Sequence, residues 1–314
     1  MPRSKQPEIN AVTRLCAVYG FPVAHSASPA MHNAAFAALG LDCRYLAFEV
    51  ELKHLQAAIQ GAKAMHFLGL NLTVPHKLVA FEMCDQLDPS AITWNAVNTI
   101  KFEKDAEGRV RSIGYNTDAD GIVASLHEDL KLKLAGTKVL LLGAGGAGRT
   151  AALKLASENV AQLFLVNRTQ GKAEEIANEI RRRFPSVSVF VGYPADKIDL
   201  ILNATSLGLK PEDPLPLDEA HFSFKQARYA YDMIYRPAET PFLQAAKKAK
   251  CKTANGLGML LHQGARAFEI WTGQKAPVKE MRKALEKEIY KNSLKTGAKS
   301  PSAKSHHPKA KTHK

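Results

Sequence analysis

Several marks of an exported, membrane-spanning or metal-dependent chain are missing here. Cysteine is scarce: Cys16, Cys43, Cys84 and Cys251 are the four present, widely spaced and without a C-x-x-C pair. Such spacing suits reduced thiols in a cytosol better than a disulfide framework or a zinc site. No stretch approaches the ~18 uninterrupted apolar residues of a spanning helix. The opening MPRSKQPEINAV carries charge but no apolar core, which argues against secretion. Neither an H-E-x-x-H motif nor a Cys/His cluster occurs, so no metal is expected. Self-similarity at solenoid periods is absent too. What remains, with 46% hydrophobic residues and ordinary Gly and Pro, is an enzyme-like globular composition, and a cytoplasmic location is expected. At 314 residues the chain has room for two domains.

The formal net charge of +13 raises a nucleic-acid-binding alternative, but residues 291–314 hold seven lysines and no acid, leaving +6 elsewhere. Rich in Ser, Pro, Ala and His, this tail cannot bury enough apolar surface to fold. It reads as a solvated basic appendage that touches polyanions only weakly. No specific nucleic acid and no membrane partner is expected. The residual charge suits small anionic ligands.

Along the chain, short apolar strands alternate with helices. RLCAVYG is a strand ending at Gly20. Ser28-Pro29 then supplies a cap and a first-turn proline for a helix through His32 and Phe36. CRYLAFEV, LKHLQAAIQGA and MHFLGLNLTV read as strand, helix and strand, with Pro75 opening another helix. Beyond the turn-rich EKDAEGR and GYNTDADG, a helix is expected from Ile122 to Leu130. KVLLL, GAGGAGR, AALKLASEN and QLFLVNR follow as strand, turn, helix and strand; IDLILN and ARYAYDMI are two more strands. A helix from Gly256 to Trp271 comes after TANG. The fold class expected is α/β with two domains. A substrate-binding domain with a mostly parallel sheet would span residues 9–119 and be completed by 256–290. A Rossmann-like domain would occupy 120–255, and the basic tail 291–314.

Gly143, Gly145 and Gly148 fit G-x-G-x-x-G between a strand and a helix. Glycines there permit a tight turn and close approach of the backbone, with Gly146 and Ala147, to a pyrophosphate at the helix N-terminus. The end of the next strand selects the dinucleotide. An NAD site would carry an acid there, whereas this chain has Asn167, Arg168 and Thr169. A guanidinium grips a 2′-phosphate through two parallel hydrogen bonds, so NADP(H) is expected. Arg149, at the start of the helix, offers a second positive charge.

The segments GFPVAHSASPAMHNAAF, GLNLTVPHK, AVNTI, GYNTDADG, GAGGAGR, NRT, NATSLG, DMIYRPAETPFL and GLGMLLHQGARAFEIWTG, in that order from Gly20 to Gly273, resemble the shikimate dehydrogenase family. The resemblance implies NADPH-dependent reduction of 3-dehydroshikimate to shikimate, on the route to chorismate and the aromatic amino acids. It implies that Ser26 and Ser28 bind the substrate carboxylate, which two hydroxyls can do by donating to it. Asn71 and Thr73 would join them, with Asn98, Tyr235 and Gln263. Lys77 would be the catalytic lysine and Asp118 its partner in passing the proton of an alcohol. In a first helical turn opened by Pro75, Lys77 would sit where the macrodipole disfavours a cation. Asn203, Thr205, Met233, Gly256 and Met259 would line the cofactor side, although methionine is more often plain packing. His32 reads as structural. Gly148 stands where the family commonly has Ala or Ser. Whether the protein is a monomer or a homodimer stays open. The nearest alternative is a quinate/shikimate dehydrogenase with relaxed cofactor use; Ser28 and Arg168 favour shikimate with NADP.

Overall fold

The computed structural model describes residues 7–210 and 212–295. Two six-stranded sheets organise it, each carrying helices on both faces. The first is built from β1 (Arg14–Gly20), β2 (Cys43–Glu49), β3 (Gly69–Leu72), β4 (Gln86–Leu87), β5 (Thr99–Lys104) and β6 (Val110–Tyr115). Its order is β2-β1-β3-β5-β6-β4. Helices α1 (Ser28–Ala38), α2 (Leu55–Ala64) and α3 (Pro89–Trp94) belong to the same part of the chain. Pairing is parallel from β2 through β1 to β3 and between β4 and β6, and antiparallel through β3, β5 and β6. The β5–β6 hairpin replaces what reads in sequence as a turn-rich loop. Asp105 stabilises its turn by accepting from the Arg109 amide and pairing with Arg109 and Arg111.

Helix α4 (Asp118–Leu130) carries the chain to the second sheet. There β7 (Lys138–Leu142), α5 (Gly146–Ser157), β8 (Gln162–Val166), α6 (Gln170–Arg183), β9 (Ser188–Val191), β10 (Ile198–Asn203), β11 (Ala227–Asp232), α7 (Pro241–Lys248) and β12 (Lys252–Asn255) follow. All pairings are parallel, in the order β12-β11-β10-β7-β8-β9. The order reverses between β7 and β10, which opens a crevice at their carboxyl ends. Helix α8 (Leu257–Thr272) then returns to the first sheet, and α9 (Val278–Lys295) packs on α1. The last helix therefore reaches into the lysine-rich segment expected to be unfolded from 291; the rest of that tail lies outside the described residues.

Central strands are covered on both faces, which is why they read as unbroken apolar runs. Cys16 and Val18 of β1 point into a core shared with α1, α8 and α9, while Ala17 and Tyr19 enter the core on the other face. Val139 and Leu141 of β7 likewise face α4 and α5, with Leu140 and Leu142 on the opposite side. The first sheet thus depends on helices from the far end of the chain. Trp271 of α8 seals this contact by donating its indole N–H to the Ile100 carbonyl at 2.9 Å. A Cβ on Gly69 would lie 2.1 Å from the Trp271 indole nitrogen and 2.3 Å from that carbonyl oxygen. We expect Gly69→Ala to cost about 3 kcal/mol through overpacking and loss of a buried hydrogen bond. Urea denaturation should show a lower midpoint at unchanged slope; an unaltered midpoint would refute the close contact.

Candidate active site

A cleft of about 430 Å³ opens between the two sheets. One wall includes Ser26, Ser28, Asn71, Thr73, Lys77 and Asp118, with Tyr235 and Gln263 beside them. Across from these stand Ala147, Met233, Gly256 and Met259. A second cavity of about 310 Å³ shares Lys77, Asp118, Ala147 and Met259 and adds Gly146, Thr150 and Asn116.

Lys77, in the turn after β3, and Asp118, at the start of α4, come together. Lys77 Nζ donates to Asp118 Oδ2 at 2.7 Å, and both side chains retain some exposure to the cleft. Lys77 does not lie in a helix, as Pro75 suggested. The Val74–Pro75 bond is cis, residues 74–78 form a turn, and a 3-10 helix begins only at Val79. The helix-dipole argument for this lysine therefore fails, while its place beside Asp118 rests on the turn itself. Asp118 is the first residue of α4 but not its cap; Asn116 Oδ1 accepts from the Asp118 amide at 3.1 Å. That leaves the Asp118 carboxylate free to face the lysine.

Asn98 supports the pair from behind. Its Nδ2 donates to Asp118 Oδ1 at 2.9 Å and to Thr117 Oγ1 at 3.0 Å, and its Oδ1 accepts from the Thr117 amide at 2.8 Å. Asn98 is buried and bonds to the Asp118 carboxylate from the side away from Lys77. Asn71 is held almost as tightly. Nδ2 donates to Asn98 O and Thr99 Oγ1, and Oδ1 accepts from Tyr45 Oη at 2.7 Å. With both amide hydrogens engaged, Asn71 offers the cleft only an acceptor. Gln263 Nε2 is engaged with Leu260 O at 2.8 Å.

The capping role expected of Ser28 is not seen. Ser28 is the first residue of α1, with Ala27 at the cap position and no side-chain cap there. It is Ser26 whose hydroxyl accepts from the Ser28 amide, at 3.4 Å. Ser28 is thereby left to the cleft and to Tyr45, whose phenol it neighbours. His32, one turn further along α1, stacks on Tyr45 with ring centroids 4.3 Å apart. Burial lowers its pKa to about 3, so it is a neutral packing ring and not an acid or base.

On the other wall the glycine turn leaves β7 with Gly143 at φ +105°, a conformation that favours glycine. A Cβ on Gly148 would lie 2.1 Å from the Gly143 carbonyl oxygen, so this glycine lets α5 sit against the strand end. Gly145 occupies the cap position of α5 without a capping side chain, and a Cβ on Gly145 or Gly146 would meet open space. Backbone N–H groups of the first turn are thus presented to a bare, accessible cradle, which fits a pyrophosphate. Asn167 braces that turn by accepting from the Ala144 amide at 3.0 Å and donating to Thr169 O at 2.8 Å. Beyond it Arg168 is exposed, and Thr169 takes the cap position of α6. No acid ends β8, so the residues present fit a 2′-phosphate.

Two residues assigned in sequence to the cofactor are committed elsewhere. Arg149 forms a bidentate pair with Glu179 of α6, at 2.7 and 3.1 Å, and donates to Trp94 O at 3.1 Å. It ties α5 to α6 and α3 and does not join Arg168. Asn203 turns inward: Nδ2 donates to Asp232 Oδ1 at 3.0 Å, and Oδ1 accepts from the Thr205 amide and hydroxyl. Sequence reasoning missed Glu179, Tyr45 and Asp232 because nothing local marks a partner that arrives from another element. Among the described residues no cluster of three His, Cys, Asp or Glu could hold a metal.

Comparison with known proteins gives matches along most of the chain. The models described as "Shikimate dehydrogenase substrate binding domain", "Shikimate / quinate 5-dehydrogenase" and "Shikimate 5'-dehydrogenase C-terminal domain" match residues 18–100, 125–207 and 256–286. The chain is 41% identical over 288 residues to "Shikimate dehydrogenase (NADP(+))" of Methanopyrus kandleri, covering 88% of this chain and 96% of that protein. A crystal structure of a shikimate dehydrogenase in complex with NADP+ superposes with TM-score 0.81 at 38% identity, over 92% of this chain and 99% of that one. The shikimate 5-dehydrogenase of Thermus thermophilus in complex with NADP(H) and shikimate superposes with TM-score 0.76 at 36% identity, over 88% and 100%.

Proposed function

The chain belongs to the shikimate dehydrogenase family, and from that premise we propose how its own residues carry out the NADP-dependent interconversion of 3-dehydroshikimate and shikimate. The observation that carries the reading is the 2.7 Å Lys77–Asp118 pair, set between the serine end of the cleft and the glycine turn. The enzyme is an oxidoreductase acting on a CH–OH group, placed by its family on the route to chorismate and the aromatic amino acids.

NADPH, when bound, supplies the hydride. Gly145, Gly146, Ala147 and Gly148 would hold its pyrophosphate, Arg168 with Asn167 and Thr169 its 2′-phosphate end, and Met233, Gly256 and Met259 its nicotinamide side. Thr205 lies at the crevice between these groups, although its hydroxyl is bonded to Asn203. Ser26 and Ser28 donate to the substrate carboxylate, with Thr73, Tyr235 and Gln263 completing the enclosure. Asn71 accepts from a ring hydroxyl. Lys77 gives its proton to the carbonyl oxygen as that carbon is reduced, and takes it back in the reverse direction. Asp118 holds the ammonium in line and is itself held by Asn98. A cytoplasmic location goes with this reading, since Cys16, Cys43, Cys84 and Cys251 are not joined in disulfides.

The deciding experiment is a steady-state assay that crosses shikimate and quinate with NADP and NAD. Shikimate with NADP should exceed every other pair in kcat/KM by at least about tenfold. Equal turnover of quinate would overturn the substrate assignment, and equal use of NAD the reading of Arg168.

A further inference from the structure

At the carboxyl ends of β10 and β11 a carboxylate is buried that no step above employs. Asp232 has no solvent exposure. Its Oδ1 accepts from Asn203 Nδ2 and from the Ile234 amide, each at 3.0 Å, and its Oδ2 accepts from Thr240 Oγ1 at 2.5 Å. These donors come from three separate segments: the end of β10, the loop after β11, and the start of α7. Thr240 is also the cap of α7, accepting from the Leu243 amide at 3.3 Å. No lysine, arginine or histidine pairs with this carboxylate among the described residues, and burial raises its pKa to about 6. Retaining an acid without a countercharge is costly, and three convergent donors are what offsets it.

The hub stands directly behind the cofactor wall. Met233, the next residue, lines the cleft. Its carbonyl presses on Gly256, where a Cβ would lie 2.1 Å from the Met233 oxygen. The Met233 amide in turn donates to Asn203 O at 2.9 Å. Through Asn203 the hub also reaches Thr205, and Gly208, at φ +114°, packs on Thr240.

We propose that Asp232 is a positioning residue for the nicotinamide end of the cofactor, setting the Met233–Gly256 wall through Asn203 and Thr240. The proposal rests on the reading that Met233 and Gly256 face the nicotinamide. Its consequence is selective: Ser26, Ser28, Asn71, Thr73 and Lys77 belong to the other lobe, and although Tyr235 lies in the loop after β11, Asp232 bonds to Asn203, Ile234 and Thr240 and not to Tyr235.

Asp232→Asn keeps the shape but turns an amide donor toward the Thr240 hydroxyl. Assayed at pH 8, where Asp232 of the parent is ionised, this variant should raise KM for NADP about tenfold or more. KM for shikimate should stay within about twofold. Thr240→Val should shift KM for NADP the same way, and Thr240→Ser should restore it. Thermal melts of each protein will show whether the fold is retained; should Asp232→Asn not fold, the Thr240 pair decides alone. Unchanged KM for NADP, or equal increases in both KM values, would overturn the proposal. Met233→Ala separates the two layers: if it weakens NADP while Asp232→Asn does not, the wall stands and the hub falls. If neither does, the wall reading falls with it.

Discussion

Replacing Lys77 by alanine is expected to lower kcat about 10³-fold while leaving KM for shikimate within a few-fold. Removing a positioned general acid or base typically costs about 10²–10⁴ in rate. Lys77 is a single amine, 2.7 Å from the Asp118 carboxylate and open to the cleft. On the proposed reading ground-state binding falls to other groups, since Ser26, Ser28, Thr73 and Gln263 also line the cleft. Loss of a group that acts mainly in the transition state lowers kcat and kcat/KM together. A large rise in KM with kcat preserved would instead make Lys77 a binding residue. Steady-state kinetics in both directions, with shikimate and with 3-dehydroshikimate, would decide it.

Arg168→Ala should raise KM for NADP about 10- to 100-fold and leave KM for NAD nearly unchanged. A charge-assisted, bidentate contact is worth roughly 1.5–3 kcal/mol, and each ~1.4 kcal/mol is tenfold. Arg149 does not duplicate the contact, because Glu179 already holds it. The Asn167 bonds that brace the glycine turn do not involve the Arg168 side chain, so the pyrophosphate cradle should survive. Parallel losses with both cofactors would show that Arg168 shapes the turn and does not read the 2′-phosphate.

Much of this site was legible from residues in order, and the reasons differ from one part to the next. The glycine turn is visible because its function is carried by backbone, which only a few residue types permit. Lys77, Asp118 and the serines were found through collinear motifs, not through any property of their own. The structure then changed the physical account of each. Lys77 lies in a turn where a helix was expected, Ser28 is the first residue of α1 and not its cap, and Asn98 stands behind Asp118. These details depend on contacts between residues distant in sequence, such as the 20 positions between Asn98 and Asp118. The β5–β6 hairpin escaped notice because its strands are short and half polar, and the turn between them dominated the local composition. The last turn of α9, from 291 to 295, escaped because its lysines looked continuous with the tail.

The return of α8 and α9 to the first sheet also sets an order of events during synthesis. The second sheet and its helices are contiguous, so their core can close once residue 255 has left the ribosome. Met31, Phe36 and Val18 cannot be covered until Leu261, Phe268 and Met281 follow them. The segment translated first is therefore the last to complete its core. Until then its nascent form exposes an apolar face to whatever meets the growing chain.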